Sequence, residues 1–253
     1  MRAVTFLSPG IPLELFEFVV GYLGRELGRE IRLESEVRNS GPMEGDDDPF
    51  AEGRADLGFL CSPSYLYLSS LERPSVELVP AGFVFADPRI AGRPVYFSEV
   101  IVRRQDPATA LADLQGRVWG FNDRCSLSGY FSALQRVDGL GQNGDFFSRM
   151  VCTGSHRRSI ESVLDGRIDG AAIDSNTLSS LYRERPELRR DLRVAESLGP
   201  FPIQPVVMRA GDARLRRRIA SALLRMADSG DHRRALAACG VEGCTVVDER
   251  FYD

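Results

Sequence analysis

The chain contains no lysine: all 32 of its basic residues are arginine. Without lysine there is no P-loop residue to reach a nucleotide's phosphates. There is also no amine for a Schiff base with pyridoxal phosphate or a carbonyl substrate. Histidine is nearly as scarce, with only His156 and His232 and no HExxH spacing, which excludes zincin-type metal centres. No run approaches the roughly 18 apolar residues of a membrane span. Nor is a leader peptide legible, since Met1-Arg2 runs directly into Ala3-Val4-Thr5-Phe6-Leu7, which reads as a first strand. Either the protein is cytoplasmic or a leader has been removed, and this reading alone leaves both open. The 5 cysteines include no CxxC pair. They are expected to act as reduced, small hydrophobes, although Cys239 and Cys244 are close enough in sequence to bridge.

What is present is ordinary for a soluble globular protein. The chain has 253 residues, 43% hydrophobic and 27% charged, with a net charge of −4. This length gives one large domain or two small ones. Acids and arginines are interspersed, so a nucleic-acid partner is not expected. The cluster Arg214, Arg216, Arg217, Arg218 reads as the solvated face of a helix whose core side carries Leu215, Ile219, Leu223 and Leu224.

Short apolar segments alternate with amphipathic ones, the pattern of an α/β fold. Strands are predicted over 2–7, 31–37, 56–61, 76–85, 94–103, 118–121, 146–152, 168–173 and 202–209. Helices are predicted over 13–27, 64–71, 107–114, 130–137, 156–165, 176–183, 187–190, 212–228 and 231–239. The stretch Asn39–Asp48 reads as an exposed polar loop, its Asp46-Asp47-Asp48 lacking EF-hand spacing.

Three strand ends carry chemistry. After strand 118–121, Ser126-Leu127-Ser128-Gly129 leads into a helix. Such a junction offers first-turn N–H groups, a positive dipole end and two hydroxyls, which together suit an anion. An ordinary serine cap fits the same residues. Thr153-Gly154-Ser155-His156 repeats the arrangement, with the dipole disfavouring a charged His156. Asp174 follows strand 168–173 at the carboxyl edge, where open α/β sheets bind ligands. Cys61, Cys125 and Cys152 lie beside these loops and with His156 form a conceivable soft metal set. No metal or other cofactor is expected, because small pocket-wall residues explain them as well. Gly139-Leu140-Gly141-Gln142-Asn143-Gly144 matches GxGxxG by letter but follows a helix and precedes a strand, so it reads as a turn. His232, beside Arg233 and Arg234, is expected to be solvated.

These motifs in sequence resemble the phosphate/phosphite/phosphonate-binding (PhnD-like) substrate-binding proteins of ABC importers. The resemblance rests on Ala55-Asp56-Leu57-Gly58-Phe59-Leu60, Tyr96–Arg103, Asp113–Val118, Phe121-Asn122-Asp123 with Ser126–Tyr130, and Gly154-Ser155-His156 through Asp165–Asp174. It implies a two-lobed α/β fold of the type II periplasmic-binding-protein class with a ligand cleft between lobes. Lobe one would be 1–97 with 203–253 and lobe two 98–202, with hinge strands near 97 and 203. It implies ligand-binding roles for Tyr96, Ser126, Ser128, Gly129, His156 and Asp174, an ABC permease partner, a monomer, and a periplasmic or extracytoplasmic location. Leu127 stands where the family has a threonine, and Arg124 where it commonly has a proline.

Two functions compete. One is capture of a small anionic or zwitterionic metabolite, phosphonate- or phosphate-like or other, by hinge closure without chemistry. The other is an intracellular enzyme or sensor on the same fold, whose catalytic pair would be His156 with Asp174 or Cys125 with His156.

Overall fold

The computed structural model describes residues 1–8, 10–36, 40–142 and 145–252. Pro9, Val37, Asn39 and the Asn143-Gly144 end of the glycine run lie outside the described residues. In chain order the strands and helices are β1 (Arg2–Thr5), α1 (Leu13–Leu27), β2 (Arg32–Ser35), β3 (Leu57–Phe59), α2 (Ser62–Ser70), β4 (Val76–Leu78), β5 (Gly82–Phe85), β6 (Val95–Arg103), β7 (Val118–Phe121), α3 (Ser132–Gly139), β8 (Arg149–Cys152), α4 (His156–Leu164), β9 (Gly170–Asp174), α5 (Ser175–Glu184), α6 (Leu188–Asp191), β10 (Leu192–Pro202), β11 (Val206–Arg209), α7 (Ala213–Arg225), α8 (Gly230–Ala238) and β12 (Val241–Thr245). The chain divides into two compact units, Met1–Val95 with Pro202–Asp253, and Tyr96–Phe201.

Unit one is built on a five-stranded sheet in the order β2-β1-β3-β11-β4. β1 pairs in parallel with β2 and β3, and β11 runs antiparallel to β3 and β4. α1 buries Leu15, Phe16, Val19, Val20, Leu23 and Leu27, a stripe at helical spacing, and ends at Gly28 in the left-handed conformation. A second, two-stranded sheet joins β12 to β5 with a bulge.

Unit two holds the sheet β10-β6-β9-β7-β8. β9, β7 and β8 are parallel neighbours, and β6 runs antiparallel to β9. Trp119, fully buried, stacks on Phe147 at 4.9 Å between ring centroids. It anchors a core with Val100, Val102, Leu111, Leu114 and Val137. On the other side of the core, Ile101, Ile160, Val163, Ile168, Ile173 and Leu178 form a second cluster.

Several sequence expectations are corrected. The strand predicted over 76–85 is two strands, because Pro80 lacks the N–H that a continuous ladder needs. The strand predicted over 202–209 is reduced to β11, since Pro205 precedes it; residues before it close the long, unpredicted β10. His232 is not fully solvated: its ring sits edge-on to Tyr22 at 5.1 Å and Phe18 at 5.6 Å. Asp46 and Asp48 accept hydrogen bonds from the backbone of Met43, Phe50 and Ala51, so these acids shape their own loop. As expected, none of the five cysteines forms a disulfide, Cys239 and Cys244 included, and burial pushes the Cys244 thiol up to about 12.

Candidate functional site

The carboxyl ends of β7, β8 and β9 lie side by side in unit two, and each feeds a helix N-terminus. β7 leads through an Asx turn, in which the Cys125 N–H donates to Asp123 Oδ1 at 2.7 Å, to a buried Ser126. The next turn, Leu127–Phe131, is π-helical: Tyr130 and Phe131 N–H both donate to the Ser126 carbonyl at 3.1 Å. Such wide turns inside helices occur often at functional positions. Ser126 Oγ also accepts from Gly129 N–H at 3.0 Å, so it caps the turn and retains its own proton to donate.

Ser128 is held by two further serines that the sequence reading did not single out. The hydroxyls of Ser98 on β6 and Ser132 on α3 donate to the Ser128 carbonyl at 2.6 and 2.8 Å. With its carbonyl occupied, Ser128 presents its hydroxyl to His156 Nε2 at 3.3 Å. Gly129 packs beneath Asn122: a Cβ there would overlap the Asn122 side-chain oxygen and come within 3.2 Å of His156 Cε1. The glycine is therefore required by these neighbours.

β8 leads through Thr153, whose hydroxyl lies 3.0 Å from the Phe121 carbonyl and 2.6 Å from Ser159 Oγ. Ser155 Oγ caps α4 by accepting from Arg158 N–H at 3.2 Å, which sets His156 in the first helical turn. β9 ends in Asp174, which caps α5 by accepting from Asn176 and Thr177 N–H at 2.7 and 3.2 Å. Asp174 lies opposite Ser98 in the β6–β9 ladder. Tyr96 is buried at the start of β6, its ring 6.2 Å from that of Phe201.

Beside two of these helix starts a buried polar atom lacks a hydrogen-bond partner: Asn122 Oδ1 and Asn176 Nδ2. Buried polar atoms are rarely left so, and their cost is of the order of 1–3 kcal/mol each. Such an arrangement suits a small polar guest bearing both acceptors and donors.

Residues 4–252 match the ABC transporter phosphonate periplasmic substrate-binding proteins. The chain belongs to this family. Its role is the family's, that of a solute-binding protein serving an ABC transporter, in preference to an enzyme or sensor. The fold agrees. A binding-protein component of a phosphonate ABC transporter from Pseudomonas aeruginosa superposes with a TM-score of 0.81 at 17% identity, covering 100% of this chain and 82% of that one. PhnD1 of Prochlorococcus marinus, solved in complex with methylphosphonate, gives 0.79 at 15% identity over 100% and 94% of the two chains. A Xanthomonas citri protein bound to ATP gives 0.72 at 19% identity over 99% and 92%. Comparison with curated proteins finds no match. Among the described residues, no helix is long and apolar enough to cross a membrane.

In this family member the electrostatics of His156 are set by desolvation. Burial lowers its pKa to about 4, opposed in part by the Ala172 backbone. The imidazole is therefore neutral at pH 7, with one ring nitrogen donating and the other accepting. The depressed value also links pH to stability. The unfolded chain takes up a proton near pH 6.5 and the folded protein only near 4, so stability falls as pH drops through that window and the loss is complete below it. An NMR titration of the ligand-free protein should give a His156 midpoint near 4; a midpoint at 6 or above would contradict this burial.

Proposed function

We propose that the three helix starts of unit two hold the oxyanion head of a small anionic or zwitterionic metabolite, phosphonate- or phosphate-like. The Ser126 and Ser128 hydroxyls donate to it. The neutral His156 ring, its Nε2 3.3 Å from Ser128 Oγ, orients that hydroxyl. First-turn N–H groups add their dipoles. Gly129 lets Asn122 and His156 close over the turn, and Asp174 keeps the start of α5 in place. The observation that carries the reading is the pair of buried, unpartnered polar atoms, Asn122 Oδ1 and Asn176 Nδ2, at two adjacent strand ends. Tyr96, buried at the start of β6, belongs to the same proposed set.

On this reading the crossovers near 97 and 203 act as hinges, and closure of the two units traps the solute without chemistry. The protein works outside the cytoplasm as a monomer that hands its solute to an ABC permease. The test is calorimetric titration with methylphosphonate, inorganic phosphate and an aminoalkylphosphonate, together with mass spectrometry of any small molecule that co-purifies. Saturable binding of at least one oxyanion, recovered unchanged after long incubation, is expected. Turnover of the bound compound, lost in His156→Ala, would contradict the reading in favour of an enzyme.

A further inference from the structure

β8 is an edge strand. It has β7 on one side and, among the described residues, no strand on the other. Every second residue of such a strand turns its N–H and C=O away from the sheet. Arg149 and Cys152 are exposed and the two residues between them half-buried, so the strand is accessible along its length. Beside it runs a groove of about 720 Å³, lined by Arg149 and Val151 of β8, Arg158 and Glu161 of α4, and Arg167 and Ile168 beyond it.

The charge of this groove is one-sided. Three guanidinium groups face one carboxylate. Arg167 is ion-paired to Asp165 at 2.8 Å, whereas no described ion pair involves Arg149 or Arg158. A single arginine on an edge strand is a common guard against chance pairing. Three in one groove, with an apolar stretch of Val151 and Ile168 among them, exceed that need and match a segment of opposite charge.

We infer that this groove docks an extended acidic segment of a partner protein, which adds to the sheet as a strand beside β8. Backbone pairing with β8 sets the register. Side chains on one face of a strand recur every second residue. A Glu-x-Val-x-Glu pattern therefore places carboxylates against the arginines and an apolar side chain over Val151 and Ile168. Arginine suits this role because its planar fork holds a carboxylate through two hydrogen bonds. The groove reaches Cys152 and Thr153 at the carboxyl end of β8, but the inference rests on the strand edge and its arginines and does not depend on the solute assignment.

The probe is a fluorescent acetyl-Thr-Glu-Thr-Val-Thr-Glu-Thr-amide peptide, titrated by anisotropy against the full chain. Saturable binding is expected, with slowed hydrogen exchange of the β8 amides. The charge-reversed Thr-Lys-Thr-Val-Thr-Lys-Thr peptide should not bind. Arg149→Glu with Arg167→Glu, both at exposed positions, should weaken binding at least tenfold and leave solute affinity unchanged. A version of the acidic peptide N-methylated at alternate residues tests the unaltered protein and should lose binding. Equal binding of the methylated peptide, or displacement of the parent by equimolar inorganic triphosphate, would replace the strand with a plain anion site. Absence of peptide binding, or an unaffected double variant, would overturn the docking surface altogether.

Discussion

Gly129→Ala should abolish solute binding and lower the melting temperature together. The added methyl group overlaps the Asn122 amide oxygen and crowds His156 Cε1, and both neighbours are packed at the carboxyl end of β7 and the start of α4. Overpacking of this kind costs about 1–3 kcal/mol, and the depth of the overlap places this case at the upper end. At a length near 250 residues, that is a fall of about 5–10 °C in melting temperature. Binding should suffer more than stability, because relief of the clash moves the very groups proposed to surround the oxyanion. Asn122→Ala in the Gly129→Ala background removes the obstructing amide and should restore most of the melting temperature. A Gly129→Ala protein that melts and binds like the parent would show that Asn122 is free to move aside.

Ser126→Ala combined with Ser128→Ala should weaken oxyanion binding by about 2–6 kcal/mol, thirtyfold or more, since two buried hydrogen bonds are lost at about 1–3 kcal/mol each. The single variants should separate structural and binding roles. Ser126→Ala removes the cap on Gly129 N–H and should cost about 1 kcal/mol of stability besides its effect on affinity. Ser128→Ala leaves that cap intact, and its effect should lie chiefly in affinity. Calorimetry and thermal melts on the same samples give both quantities. Unchanged affinity in the double variant would remove these hydroxyls from the site.

Much of this arrangement could be read from the sequence, for identifiable reasons. β7, α4, β9 and α5 are bounded by strong signals: apolar runs, then a serine or aspartate at the helix start. Ser126, Ser155 and Asp174 each accept a first-turn N–H hydrogen bond, as such residues do. β10 and β12 were illegible because neither has a clean apolar face. β10 exposes much of its length and contains Gly199-Pro200, while β12 is a bulged Val-Glu-Gly-Cys-Thr. The π-helical turn was equally hidden, since Leu127–Phe131 has an unremarkable composition and its widening depends on one carbonyl accepting two N–H groups.

The sequence reading selected candidate residues by motif and did not single out those that act through packing. Ser98 sits in the middle of a strand and Ser132 in a helix, with no local pattern to separate them from the chain's other serines; only the fold brings both to the Ser128 carbonyl. Asn122 gave the clearest overlooked signal, a polar amide directly after an apolar strand. Gly129 carries a constraint that its motif does not show: a Cβ there would overlap Asn122 and approach His156.

The central claim is that an oxyanion head meets the Ser126–Gly129 turn beside His156. Nitrogen-15 NMR of the His156 ring, followed against pH with and without saturating methylphosphonate or phosphate, tests this contact directly. Free, the ring should titrate near 4. Bound, an oxyanion held through the Ser128 hydroxyl favours the imidazolium, so the midpoint should rise by about one unit or more and proton uptake should accompany binding below pH 6. A bound-state spectrum in which His156 keeps both its shifts and its midpoint, while the oxyanion is demonstrably bound, would contradict the account.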